Sequence, residues 1–214
     1  MKQRRTMLRR LSLCMSMIVV FGITSFAHAN VIDFLVNNNI TDGTDATVKI
    51  TLDDEFTPGR IQVTVESIEP LVDIRGIFFH VTDESLLSGM TVAGNDATDS
   101  QFVANSVINL GQGANLNGNP SINQGPFDGG VEIGQPGIGQ GDDIGSTTFI
   151  LSHANEPLDV GLFTNQWFGV RLTSVGPIGN RDGSSKLQGM VPEPTSGIVL
   201  LTLAATVAGR RPRR

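Results

Sequence analysis

Between Val31 and Met190 the chain predicts an all-β fold, an antiparallel β-sandwich of jelly-roll-like kind. Three observations predict it. Ala46, Val48, Ile50 and Leu52 alternate with Thr47, Lys49 and Thr51, and Ile61, Val63 and Val65 alternate with Gln62, Thr64 and Glu66. This period of two is that of a strand with one buried face. No stretch of the region keeps a helical apolar period over three turns. The glycines, 25 in the whole chain, gather between the apolar runs, where turns need positive φ. No repeat of fixed length supports a solenoid instead.

The elements follow in order. Val31–Val36 is a first strand, and the two alternating runs are the second and third. Ile74–Val81 is denser, apolar on both sides at Ile77, Phe78 and Phe79. Met90–Val92, Phe102–Leu110, Val131–Ile133, Thr147–Ser152 and Trp167–Ser174 complete about nine short strands, the usual content of a sandwich or jelly roll. Asn109 to Ser146 is rich in Gly, Asn and Gln, interrupted by Val131-Glu132-Ile133. A loop of that length is disordered or functional, and the functional reading is a binding rim at one end of the sandwich. Trp167 and Phe168 are adjacent in a strand and face opposite ways. The expectation places Trp167 in the core.

Residues 1–29 read as a signal peptide, an N-terminal signal helix preceding the domain at 30–190. Lys2 to Arg10 is basic, Leu11 to Phe26 is largely apolar, and Ala27 and Ala29 put small residues at the −3 and −1 positions of a cleavage before Asn30. Arg4-Arg5 leaves twin-arginine export open beside the general secretory route. Cys14 lies inside the removed segment, so the mature domain has no cysteine and folds without disulfides.

Residues 191–214 have three parts. Val191-Pro192-Glu193-Pro194 is held extended by its prolines. Gly197 to Gly209 is uncharged and mostly apolar. As a short C-terminal hydrophobic helix it reaches about 20 Å at 1.5 Å per residue, against a hydrocarbon core of about 30 Å. Arg210, Arg211, Arg213 and Arg214 close it, as a cytoplasmic stop does. An extended peptide beside a membrane helix is what an embedded processing enzyme can grip. The order Pro192-Glu193-Pro194, apolar run, basic end resembles the PEP-CTERM sorting signal of Gram-negative bacteria. The resemblance implies export, transient tethering in the membrane by the tail, and processing near Pro-Glu-Pro by an exosortase-like membrane protease. It leaves open whether the tail is cleaved or stays as an anchor. The runs Asp142–Phe149, Phe168–Leu172 and Gly183–Leu187 are similar to extracellular domains of no assigned activity that carry this tail.

Charge narrows the partners. Nine of the 15 Lys and Arg lie in the first ten and last five residues. Positions 31–190 keep six against 20 Asp and Glu, a formal −14. Such a domain is repelled by phosphate backbones, which excludes nucleic acid. It can collect cations, and calcium is the cofactor it would take if it takes one. The oxygen-rich candidates are Asp42 and Asp45, then Asn95, Asp96 and Asp99, then Asn115, Asn117 and Asn119. Asp142 and Asp143 are the first bet, because adjacent carboxylates repel each other without a cation. None fits an EF-hand. His80 and His153 are too few for a zinc site, and no nucleophile elbow or phosphate loop is present. The expectation is therefore a non-enzymatic, exported surface or extracellular-matrix protein with a structural or adhesive role. Its partners are the export machinery, the processing protease and extracellular polysaccharide. A calcium-dependent or carbohydrate-binding module and a secreted hydrolase on the same scaffold stand as alternatives.

Overall fold

In the computed structural model the described residues are 30–41, 43–111, 113–117, 125–135 and 143–193. Eleven strands lie among them: β1 Val31–Val36, β2 Asn38–Asn39, β3 Thr47–Asp53, β4 Ile61–Glu69, β5 Leu71–Phe79, β6 Met90–Ala93, β7 Ala97–Val107, β8 Phe127–Ile133, β9 Ser146–His153, β10 Trp167–Gly176 and β11 Gly183–Met190. The only helices among these residues are two 3₁₀ turns, Glu84–Gly89 and Val160–Phe163. The strands make two sheets, β1-β3-β4-β9-β6 and β2-β11-β10-β5-β8-β7, antiparallel throughout. The segments expected to be the signal helix and the tail helix lie outside the described residues. No helix among the described residues is long and apolar enough to cross a membrane.

The alternation in the sequence becomes the alternation of burial. In β3 every second residue (Val48, Ile50, Leu52) is buried, and in β1 Ile32, Phe34 and Val36 are. These side chains meet Ile74, Ile77, Phe79, Val131, Phe168, Val170 and Leu172 of the six-stranded sheet in one cluster. Phe168 is packed by Phe34, Phe79 and Phe163, with ring centroids 5.2, 5.6 and 5.4 Å away, Phe34 and Phe163 edge-on and Phe79 tilted, at the separations aromatic pairs favour. The chain from β1 to β2 changes sheets at Asn37: Val36 still pairs with Val48, while Asn38 pairs with Gln188.

The six-stranded sheet is covered on its other face too. Val107, Leu110, Ala114 and Leu116 close over Phe78 and Phe127 in a second cluster, with Trp167 partly buried against it. Hence β5 and β8 are buried along almost their whole length. Gly169 marks how tight this layer is, since a Cβ there would stand 2.4 Å from Leu116 Cδ1 and 2.9 Å from Phe127.

Three expectations change. Phe168, not Trp167, is the core residue; it shares strand parity with Val170 and Leu172, and Trp167 falls on the opposite face, half-buried. Within 109–146 the start of the stretch packs on the sheet, and the short strand expected at Val131–Ile133 is there but begins four residues earlier, as the buried strand β8. Gly183–Met190, left without a strand, is β11, paired on both sides by β10 and β2.

Candidate functional site

The end of the sheets where β11 stops is where the sequence-predicted processing motif begins. Val191 is fully buried one residue past β11. Its N–H donates to Gln166 O at 2.9 Å, and its carbonyl accepts from Asn165 N at 3.1 Å. Pro192 and Glu193 are exposed, and Asn165 Nδ2 donates to Glu193 Oε1 at 2.9 Å. Asn165 has φ 58°, a left-handed turn that asparagine accepts more readily than most residues. Pro194 lies outside the described residues, as do Ala27 and Ala29.

Asn30 lies at the same end. β1 starts opposite Asp53, and β4 runs from that end to the turn into β5, whose last residue Phe79 pairs with Phe168 beside Trp167 and Met190. Asn30 N donates to Asp54 Oδ1 at 2.6 Å, and Val160 N donates to Asp54 Oδ2 at 2.9 Å. Asp54 is buried. The segment Asp159–Gln166 therefore reaches Asp54, the partner of Asn30, through Val160 and Val191 through Gln166. Asp159 caps its 3₁₀ turn by accepting from Gly161 N at 2.8 Å.

At this end also sits a cluster that sequence reading missed. Asp128 Oδ2 is 3.0 Å from His80 Nδ1 and accepts from Val81 N at 3.0 Å, and Oδ1 accepts from Asn105 N at 2.8 Å. Asn105, with φ 50°, occupies the irregular stretch of β7 between Phe102 and Val107 and donates its side-chain amide to Glu84 Oε1 at 2.8 Å. His80 lies against Phe127, ring centroids 4.9 Å apart. A carboxylate holding an imidazole is one half of an activated-nucleophile arrangement. Here the same carboxylate also ties down two backbone amides, and the nearby Ser106 hydroxyl donates to Ala104 O at 2.9 Å. The arrangement knits β5, β7 and β8 together. Nothing in the local sequence around Asp128, a Phe-Asp-Gly-Gly run that reads as a turn, announces it.

The opposite end holds a shallow groove of about 330 Å³ between the β4–β5 turn and Arg181. Ile68 and Leu71 stand exposed on its rim, and Ile178 is 89 % exposed two residues past Gly176, the partner of Leu71. Asp143 pairs with Arg181. The cation beside this expected calcium ligand is thus a guanidinium, and Asp142 lies outside the described residues. Asp73 accepts from Ile144 N and Thr173 Oγ1, both at 3.1 Å, and burial pushes its carboxyl above the ordinary range. Burial also pushes Glu132 up, against the pull of Arg75, which contacts it at 3.4 Å and donates to Ile133 O at 2.7 Å.

The remaining calcium candidates are dispersed. Asp96 accepts from Thr147 Oγ1 at 2.8 Å, and Asp99 is within β7, its carboxylate accepting from Ser100 N. Asp45 is 3.4 Å from Asn39 Nδ2. Asn117 O accepts from Lys186 Nζ. Asp42 and Asn119 lie outside the described residues. Among the described residues no three His, Cys, Asp or Glu come together in a metal-binding group. His153 ends β9 and accepts from Asn155 N and Glu156 N at its Nδ1, the geometry of a turn.

Lys186 and Arg171 face each other across β10 and β11, and both bind the segment covering the sheet: Arg171 Nε donates to Gly113 O at 3.3 Å. Desolvation lowers the proton affinity of both, with Arg171 adding to the effect at Lys186. Family models, characterised proteins and solved structures were all compared with the chain, and none matches.

Proposed function

We propose that this chain is an exported protein whose 191–214 segment is a PEP-CTERM-type sorting signal, read by an exosortase-like membrane protease. On this reading the export machinery removes residues 1–29, the tail tethers the chain transiently in the membrane, and the domain 30–190 is delivered to the cell surface or extracellular matrix. We take its two sheets, with their shared core, as a β-sandwich. The delivered domain has a structural or adhesive role, and extracellular polysaccharide is its proposed partner.

The observation that carries the reading is the state of the motif at the domain's rim. Val191 is buried and paired, and Pro192 and Glu193 stand exposed directly after it. A peptide in that state is accessible and fixed at one end, which is the form a protease binds at least entropic cost. The apolar run begins at Gly197, four residues further along the chain. The adhesive role is supported by the exposed Ile68, Leu71 and Ile178 beside an open groove at the far end.

Mass spectrometry of the extracellular form tests the sorting reading. The expected product begins at Asn30 and ends near Pro194. An extracellular product that still contains Arg214 overturns it.

A further inference from the structure

We infer that Asp54 is the receptor for the α-ammonium group that signal-peptide removal creates on Asn30. The inference rests on the proposed cleavage between Ala29 and Asn30. It goes beyond that reading by giving the new chain end a site in the fold. Hydrolysis of that peptide bond consumes one water: Ala29 leaves with a carboxylate, and the Asn30 nitrogen becomes an ammonium. Before cleavage that nitrogen is an amide with a single N–H and no charge.

The geometry of the receiver is already set. The Asn30 nitrogen lies 2.6 Å from Asp54 Oδ1, a short contact for a nitrogen donor on a carboxylate, and charge-assisted bonds are the shorter ones. Asp54 is 7 % exposed, and its backbone N–H returns a bond to Asn30 O at 3.3 Å. Its second oxygen is occupied by Val160 N. Among the described residues no Lys, Arg or His forms an ion pair with Asp54. A buried carboxylate with two amide donors is hydrogen-bonded but not charge-compensated, and such a charge is costly to bury. The ammonium formed by cleavage supplies the opposite charge at the atom already in place. Maturation would thus tighten the hold of Asp54 on both β1 and the Val160 turn. Precursor and mature chain would share a fold and differ in stability.

The test uses the full-length gene and the exported protein. One glycine is inserted between Ala29 and Asn30, so that cleavage after Ala29 leaves the ammonium about 3.6 Å of chain away and returns Asn30 N to an amide. Asp54→Asn and the combination with the insertion complete a cycle, read by thermal unfolding. The insertion is expected to lower the midpoint by roughly 5 °C, and to lower it no further in the Asp54→Asn background. An unchanged midpoint on insertion, or two effects that simply add, overturns the inference. Should Asp54→Asn fail to be exported, the insertion alone decides. N-terminal sequencing separates this failure from that of the parent reading: a wild-type exported chain that does not begin at Asn30 removes the cleavage reading itself.

Discussion

Asp73 shows how a single residue of this acidic domain sets a pH response. Burial raises its carboxyl, the bonds from Ile144 and Thr173 and the charge of Arg75 pull it back, and Asp143 adds to the rise. The folded chain thus holds this proton more tightly than the unfolded chain, whose aspartate titrates near 3.8. Its contribution is full below that value and is lost as pH rises through the folded value. We expect the urea midpoint of the wild type to fall more between pH 4 and pH 7 than that of Asp73→Asn; identical pH profiles would refute this. Other residues were legible or not for equally local reasons. The parity of Phe168 is present in Val170 and Leu172, two and four positions on, and it places Phe168 rather than Trp167 on the core face. Asp128 carried no such mark. Its partners come from Val81, His80 and Asn105, at least 23 positions away, and only pairing of the strands brings them together.

At the level of elements, the strands visible in the sequence are those with one wet face. β1, β3, β4 and β9 show period-2 alternation because water lies on one side of them. β11 reads Gly-Ser-Ser-Lys-Leu-Gln-Gly-Met, with Leu187 its only apolar side chain in the core cluster, and it is a strand because β10 and β2 pair with it. The first half of β8 hid for the opposite reason. Its glycines read as a turn, yet they are there because Phe79 and Val107 occupy the space their side chains would need. The covering segment depends on two cations as well as on its apolar residues. Replacing both Arg171 and Lys186 by alanine should speed hydrogen exchange at Leu110, Ala114 and Leu116 by about tenfold, the equivalent of roughly 1.4 kcal/mol. Unchanged exchange would mean that packing on Phe78 and Phe127 holds the segment alone.

Over the whole molecule, the positions at which the domain's first and last residues leave the fold matter more than any pocket. Asn30 and Val191 leave from one end, joined through the Asp159–Gln166 segment, and the groove beside Arg181 is at the other. On the sorting reading proposed above, a precursor still attached at both flanks would be held with that shared end toward the membrane. With processing blocked by Pro192→Ala and Glu193→Ala, an external protease should cut first in the exposed Pro177–Asn180 turn, with Asp159–Gln166 shielded; the reverse order would refute this orientation. The placement of β11 also bears on how the protein carries load. It enters from the distal end, lies between β2 and β10, and exits at Val191. If the chain is fastened through that exit and pulled at the groove, tension runs along the strand. The hydrogen bonds to β10, from Met190 back to Ser185, are then strained in shear and together. Peeling would break them singly, so the same bonds give way at a lower force when the pull comes from the side.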